Sequence, residues 1–278
     1  MSKHEEMARV FRALHAGDAF IIPNPWDVGS AKLLAGLGFR ALATTSAGYA
    51  FSVGRRDNGI GRAGMMAHVS AIASATELPV SADLENGYGD SPERVAETIR
   101  LAAAAGAVGG SIEDFTGRPD DPIYEFDASV ERMRAAASAA RSLPFPFTLT
   151  GRAENYMVGR SDLKDTIRRL QAYEDAGADV LYAPGVNRLE DIAEVLRSVG
   201  RPLNVVAGFE SHGPDFATLS SLGVKRISVG SALARAAYGS LLRAGREMVQ
   251  GGTFSFADDA VSYRDISDMM PGDAQDGV

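Results

Sequence analysis

Two carboxylates, Asp83 and Glu85, lie two residues apart in Ser81-Ala-Asp83-Leu-Glu85-Asn-Gly87-Tyr-Gly89-Asp90. The residues before them, Leu78-Pro-Val-Ser-Ala, read as a short buried strand. Ser91-Pro-Glu-Arg after them reads as an N-cap with proline at the first helical position and an acidic first turn. The pair therefore sits where a strand runs out into a glycine-bearing loop. Alternate strand residues face one side, so both side chains can converge on one point. Converging acids repel unless a cation or a shared proton intervenes. Hard oxygen donors point to Mg²⁺, with Mn²⁺ as the alternative. The same stretch also reads as a polar loop leading into an acidic helix start, and taken alone it supports both readings.

The elements that would position these acids alternate regularly. A helix at Glu5 to His15, with Met7, Val10, Phe11 and Leu14 at helical spacing, precedes the first strand and could cap one end of the fold. Strands are expected near 19–23, 39–45, 78–82, 109–113, 147–152, 180–183, 203–206 and 225–229, each followed by a helix. Ser46 to Gly59 reads as a loop. Phrases such as Leu37-Gly-Phe, Ala105-Gly-Ala, Ala176-Gly-Ala and Leu222-Gly-Val mark helix ends, where glycine suits the left-handed position. Eight such units predict an α/β fold, a (β/α)₈ TIM barrel, rather than an open doubly wound sheet. The barrel carries an extra N-terminal helix and a C-terminal helical tail. No segment reads as a linker, so residues 1–278 are expected to form a single barrel domain. Residues 253–278 form its acidic tail, with a short helix near Asp258 to Met269 and fraying after Pro271.

In such barrels the active site lies at the C-terminal ends of the strands. There the chain delivers Thr44, Thr45, Ser46 and Gly48 from strand two and Asp83 and Glu85 from strand three. Strands four and five bring Ser111, Glu113, Asp114, Thr150, Arg152 and Glu154. Strand six brings Tyr182, and strand seven brings Asn204 and, beyond it, Glu210 and His212. Acids on neighbouring strands with an arginine beside them can bind a metal and an anionic substrate together. His212 is a usable acid near neutral pH, and Asn204 a candidate substrate contact. His4 and His15 are expected to be solvated, and His68 to be structural. Val229-Gly-Ser231 could start a phosphate-binding helix, but tight strand–helix packing explains it equally simply.

Composition narrows the function further. The net charge is −8, from 28 basic and 36 acidic residues, and no basic block stands out, which excludes nucleic acid as an expected partner. Cysteine is absent, so disulfides, thiolate metal sites and cysteine nucleophiles are ruled out. The N-terminus has no apolar signal core, and no run is long enough to span a bilayer, so no membrane role and a cytoplasmic location are expected.

Asp83-x-Glu85-x-Gly87-Tyr-Gly89, Ser111-Ile-Glu113-Asp114, Gly151-Arg152-Ala-Glu154, Asn24-Pro-Trp-Asp27 and the Ser46 loop ending in Asp57-Asn-Gly59 resemble the isocitrate lyase/phosphoenolpyruvate mutase superfamily over about residues 5–245. The resemblance implies Mg²⁺ held by Asp83, Glu85 and Glu113, partly through waters. It implies a 2-oxo or 2-hydroxy carboxylate on the amides of Ser46, Ala47 and Gly48, with Arg152 opposite and Asp57 near the reacting group. Arg152, Asp57 and Glu113 are thus the implied catalytic residues. The shared chemistry is a metal-stabilised pyruvate-like enolate. The resemblance also implies a homo-oligomer, a dimer or tetramer, that exchanges C-terminal helices. Lyases of the superfamily carry a Lys-Lys/Arg-Cys-Gly-His loop after strand four. Here the segment is Phe115-Thr-Gly-Arg-Pro-Asp-Asp-Pro122, with neither that cysteine nor the asparagine of the mutases, and Thr44 replaces a common aromatic residue. A C–C lyase or decarboxylase such as an oxaloacetate decarboxylase is therefore expected over isocitrate cleavage. The alternatives are P–C bond chemistry on a phosphonopyruvate-like acid, and a vestigial 2-oxo acid binder.

Overall fold

The computed structural model describes residues 2–209 and 213–270. Its strands are β1 (Phe20–Ile22), β2 (Leu42–Ala43), β3 (Val80–Asp83), β4 (Gly109–Glu113), β5 (Thr148–Arg152), β6 (Val180–Tyr182), β7 (Leu203–Val206) and β8 (Arg226–Ser228). They form one parallel sheet in the order β1-β8-β7-β6-β5-β4-β3-β2. The seam between β1 and β2 is closed by a backbone bond, Ala43 N–H to Pro23 C=O at 3.0 Å. Pro23 and Pro25 lack N–H groups, and β2 has only two residues, so a full ladder cannot form there. The architecture is the expected (β/α)₈ barrel.

The helices are α1 (Lys3–Leu14), α2 (Val28–Gly36), α3 (Ser46–Ser52), α4 (Arg62–Ser74), α5 (Pro92–Ala104), α6 (Phe126–Arg141), α7 (Leu163–Ala176), α8 (Leu189–Ser198), α9 (Phe216–Leu222), α10 (Ala232–Gly251) and α11 (Tyr263–Asp268). One correction concerns 46–52, which reads as loop in sequence but is helical. Thr45 is extended and its hydroxyl accepts from Gly48 N–H at 3.2 Å, which starts α3. Gly48 fits there because a Cβ would lie 2.6 Å from Thr45 Cγ2.

Helix α1 covers the N-terminal mouth of the barrel. Its Ala8 and Phe11 are fully buried and cluster with Phe20, Ile22, Ala41 and Val108. Burying one such phenylalanine stabilises the fold by roughly 1.5–3 kcal/mol. His15, which closes α1, is not solvated as expected. It is 7% exposed, lies edge-on to Phe11 and Phe20, and its Nδ1 is 2.9 Å from Phe11 C=O. Burial, then the nearby Arg226 charge, lowers its pKa to about 3. His4 is half-buried too, with Nε2 3.2 Å from Ala107 C=O and its ring against Phe145. His68 is structural as read: it is buried and its ring stacks on Tyr49 at 3.8 Å.

After α10 the expected tail helix is split into a 3₁₀ turn at Ser255–Asp259 and α11. The Glu247 carboxylate organises this turn by accepting from Thr253, Ser255 and Phe256. The predicted fraying after Pro271 lies outside the described residues. No helix among the described residues is long and apolar enough to cross a membrane.

Candidate active site

Strand alternation directs Ser81, Asp83, Ser111, Glu113, Thr150, Arg152, Asn204, Arg226 and Ser228 to the barrel interior. The interior is therefore polar. Thr44, Thr45, Tyr182 and several of these residues line a cavity of about 60 Å³.

Asp83 ends β3 and is fixed from two sides. Its Oδ2 accepts from Ser46 Oγ at 2.7 Å and from Ser46 N–H at 3.0 Å. Its own N–H donates to Thr44 Oγ1 at 2.8 Å. Its Oδ1 is buried and has no hydrogen-bond partner. The nearest cation to Oδ1 is Arg152 Nη1 at 3.6 Å. Ser46 and Arg152 thus flank one carboxylate.

Arg152 ends β5. Its Nη1 lies 3.2 Å from Glu113 Oε2, its Nε pairs with Glu154, and the guanidinium sits 5.1 Å from the Tyr182 ring centre. Burial opposes its charge, but Glu154 and Glu113 outweigh that and hold it firmly protonated. Glu113 and Glu154 are themselves buried, and burial raises both their pKa values against the pull of Arg152. Asp114 faces outward from this group. It accepts from Glu154 N–H at 2.8 Å, Tyr173 OH at 2.5 Å and Arg169 at 3.2 Å. It therefore anchors the β4 and β5 ends and is not at the reacting centre.

Glu85 reaches the group by a route other than strand alternation. Strand β3 stops at Asp83, and Glu85 adopts φ 48°, followed by Gly87 at 80° and Tyr88 at 59°. This left-handed turn is costly for residues other than glycine and carries the acid back over the strand end. Burial first, then Asp83 and Asp57, push the Glu85 carboxyl up to about 8. Asp57, on the loop after α3, is near enough to couple to this group. Partial desolvation and then Asp83 raise its pKa, while Arg152 opposes.

The α3 start differs from the amide cradle that was expected. Ser46 N–H is spent on Asp83 and Gly48 N–H on Thr45, so of Ser46, Ala47 and Gly48 two amides already have acceptors. Asn204 is also engaged: it donates to Ser228 Oγ at 3.0 Å and accepts from Arg226 Nε at 2.8 Å. His212 and Glu210 lie outside the described residues. At the last helix, the amides of Val229 and Gly230 both donate to Asn24 Oδ1 at 2.9 Å, which agrees with the packing reading of that segment.

Sequence reading missed Arg226. It is buried, bonds only the neutral Asn204, Thr150 and His15, and has no carboxylate within 4 Å among the described residues. Burial lowers its pKa to about 10, so it stays charged at neutral pH beneath the acids. The signal was present in the pleat, since Arg226 and Ser228 share the inward face of β8.

The donor set is entirely oxygen, and several acids crowd one arginine. That chemistry and the orphaned Asp83 Oδ1 fit a hard divalent cation. Among the described residues, no three carboxylate or imidazole groups lie close enough to form a metal cage by themselves. Asp83, Glu85 and Glu113 therefore do not make a ready-built cage, and a cation here would take further oxygens from water or substrate.

Residues 11–249 match the family model described as phosphoenolpyruvate phosphomutase. A solved structure from Burkholderia cenocepacia J2315, provisionally assigned as a lyase/mutase, is 62% identical with a TM-score of 0.95, covering 96% of this chain and 97% of that one. The 2-methylisocitrate lyase of Salmonella typhimurium is 31% identical, over 70% of each chain. The oxaloacetate decarboxylase of Pseudomonas putida is 27% identical over 83% of this chain and 81% of its own.

Proposed function

The chain belongs to the phosphoenolpyruvate mutase/isocitrate lyase superfamily, and from that premise we propose that it is a divalent-cation-dependent lyase that decarboxylates a small 2-oxo dicarboxylate. That the chain is an enzyme of the carbon–carbon lyase type agrees with the lyase and decarboxylase among its relatives. The observation that carries the reading is Asp83. Ser46 holds one of its oxygens, and the other is buried without a hydrogen bond beside Arg152. An orphaned carboxylate oxygen inside a ring of acids is costly unless a cation meets it.

Asp83, with Glu85 and Glu113 around it, would hold Mg²⁺ or Mn²⁺. Bound there, the cation supplies positive charge where the 2-oxygen of the substrate becomes an enolate oxygen. The chain's own residues do the rest. Arg152 offers fixed positive charge at the strand ends and is kept there by Glu113 and Glu154. The Ser46 segment closes the opposite side of the site. Buried Arg226 adds positive potential from below, with no acid paired to it among the described residues. This preorganised charge favours the movement of negative charge from the departing carboxylate onto the 2-oxygen. Decarboxylation asks least of the protein, because CO₂ leaves by itself. Isocitrate cleavage asks for an additional acid, and this chain has no cysteine to supply it.

Side-by-side kinetics with Mg²⁺ on oxaloacetate, methylisocitrate, isocitrate and phosphonopyruvate test the proposal. Oxaloacetate is expected to give the highest kcat/KM. Phosphate release from phosphonopyruvate as the fastest reaction, or a wide preference for isocitrate, would overturn it. Full activity after EDTA treatment would remove the cation from the reading.

A further inference from the structure

Glu85 reaches the candidate cation site on a turn that the chain would not adopt by itself. Glu85, Gly87 and Tyr88 all have positive φ, at 48°, 80° and 59°, and only glycine takes that region freely. Contacts from outside the turn must therefore hold it. Glu85 C=O accepts from Glu113 N–H at 3.0 Å, which seats the acid beside Glu113. The carbonyls after it lie beyond the end of β3, outside the strand ladder.

A buried arginine meets most of them. Arg132, on α6, is 2% exposed. It donates to the carbonyls of Asn86, Gly89 and Asp90, the bond to Gly89 being 2.7 Å long. Helix α5 meets the other two: Thr98 Oγ1 donates to Gly87 C=O at 2.7 Å, and Arg94 Nε to Tyr88 C=O at 3.4 Å. Every carbonyl from Asn86 to Asp90 thus has a side-chain donor. Tyr124 covers the guanidinium, with its ring centre 4.0 Å from Arg132 Cζ. The Tyr124 hydroxyl donates to the Asp90 carboxylate and accepts from Asn86 Nδ2 at 3.3 Å. Both ends of the turn are therefore tied to the same pair of side chains.

Among the described residues Arg132 has no carboxylate within 4 Å, and its charge is met by carbonyl dipoles. Burying a charge in this way is costly. A planar guanidinium with donors in fixed directions also dictates where three carbonyls lie, which a flexible ammonium does not. Resting on the reading of Asp83, Glu85 and Glu113 as the cation site, we propose that Arg132 is a positioning residue: it clamps the turn at 86–90 so that Glu85 faces the cation. Asp83 and Glu113 are held by β3 and β4 and do not depend on this clamp. Loss of Arg132 therefore frees one ligand and leaves two in place.

The test is Mg²⁺ affinity, titrated by calorimetry in the presence of oxalate, in a double-mutant cycle of Arg132→Met and Glu85→Gln. Arg132→Met is expected to weaken Mg²⁺ binding at least 10-fold on its own, but less than twofold once Glu85 is replaced, because the ligand it positions is already impaired. Additive losses, or an affinity of Arg132→Met within twofold of the wild type, would overturn the assignment. Phe11→Ala, at the opposite mouth of the barrel, reads stability alone. Its unfolding midpoint should fall while its Mg²⁺ affinity stays within twofold of the wild type; an equal loss of affinity there would make Arg132 merely structural. If Arg132→Met does not fold, Arg132→Lys keeps the charge without the planar fork. It should bind Mg²⁺ at least 3-fold more weakly, and an affinity within twofold of the wild type would overturn the clamp. A wild type that binds no Mg²⁺ refutes the cation site and the clamp together, whereas a wild type that binds it, with variants unchanged, refutes the clamp alone.

Discussion

Ser46→Ala is the sharpest probe of the proposed cation site, because it changes one contact to Asp83. The hydroxyl donates to Asp83 Oδ2 at 2.7 Å, while Ser46 N–H donates to the same oxygen at 3.0 Å. A hydrogen bond to a charged group contributes roughly 1.5–3 kcal/mol. The backbone bond survives the substitution, so the lower end of that range applies. Asp83 would still accept one bond but would be free to rotate away from the geometry that leaves Oδ1 facing Arg152. About 1.4 kcal/mol is a tenfold change in an equilibrium constant. Mg²⁺ should therefore bind about 10-fold more weakly. The fold should tolerate the change, because α3 is capped by the Thr45 side chain and not by Ser46. The assay is the Mg²⁺ dependence of kcat/KM, with calorimetric titration of Mg²⁺ in the presence of oxalate. An Mg²⁺ affinity within twofold of the wild type would refute the argument that Ser46 orients the cation ligand.

Arg152→Lys should lower kcat/KM by at least 10-fold, since an ammonium cannot meet Glu113 and Glu154 in two directions and still face a substrate; activity within twofold of the wild type would contradict this. The described face of α10 exposes Leu241, Leu242, Met248 and Val249, the last at 87%, so we expect a homo-oligomer in which this helix is covered; sedimentation at micromolar concentration as a monomer would count against it. His15 is neutral in the fold, with a pKa of about 3 against 6.5 unfolded. Below pH 6.5 the unfolded chain takes up a proton that the fold refuses, so stability falls with pH, by about 1.4 kcal/mol between pH 7.5 and 5.5. Buried His68, with a pKa lowered to about 4, adds a loss of the same kind to both proteins, so urea unfolding at the two pH values should show a loss about 1.4 kcal/mol larger in the wild type than in His15→Gln, and equal pH slopes in both proteins would refute it.

The barrel was legible because its signals are local. Proline-led strand starts, glycine at helix ends and the alternation of short apolar runs with helical periods specify eight β/α units without any long-range knowledge. The acids at the strand ends followed from the same frame, since the end of a barrel strand is a defined place. What could not be read was set by contacts distant in sequence. Whether Ser46 is loop or helix depends on Thr45 capping, and the fate of its amide depends on Asp83, 37 residues away. His15 looks like a solvated residue on a polar helix. Only the docking of α1 against Phe20 and Arg226, over 200 residues later, buries it. Glu85 appeared to reach the site by strand pleat, but the chain arrives there through a left-handed turn that residue type alone does not announce.

The charges in the barrel also explain why its acids need not be satisfied by protein. Asp83, Glu85, Glu113, Glu154 and Asp57 face a common region, with Arg152 as the cation among them and Arg226 held below by neutral partners. A stability-driven design would pair each acid, since an unpaired buried carboxylate costs several kcal/mol or gives up its charge. Here the cost appears as carboxyl groups driven towards their neutral forms, Glu85 up to about 8. A divalent cation would relieve that repulsion and restore the carboxylates at once. It would also leave positive charge on the side where Arg152 and Arg226 already favour an anion. Cation and dicarboxylate would then each improve the site for the other, which is the coupling an enolate-forming decarboxylase requires.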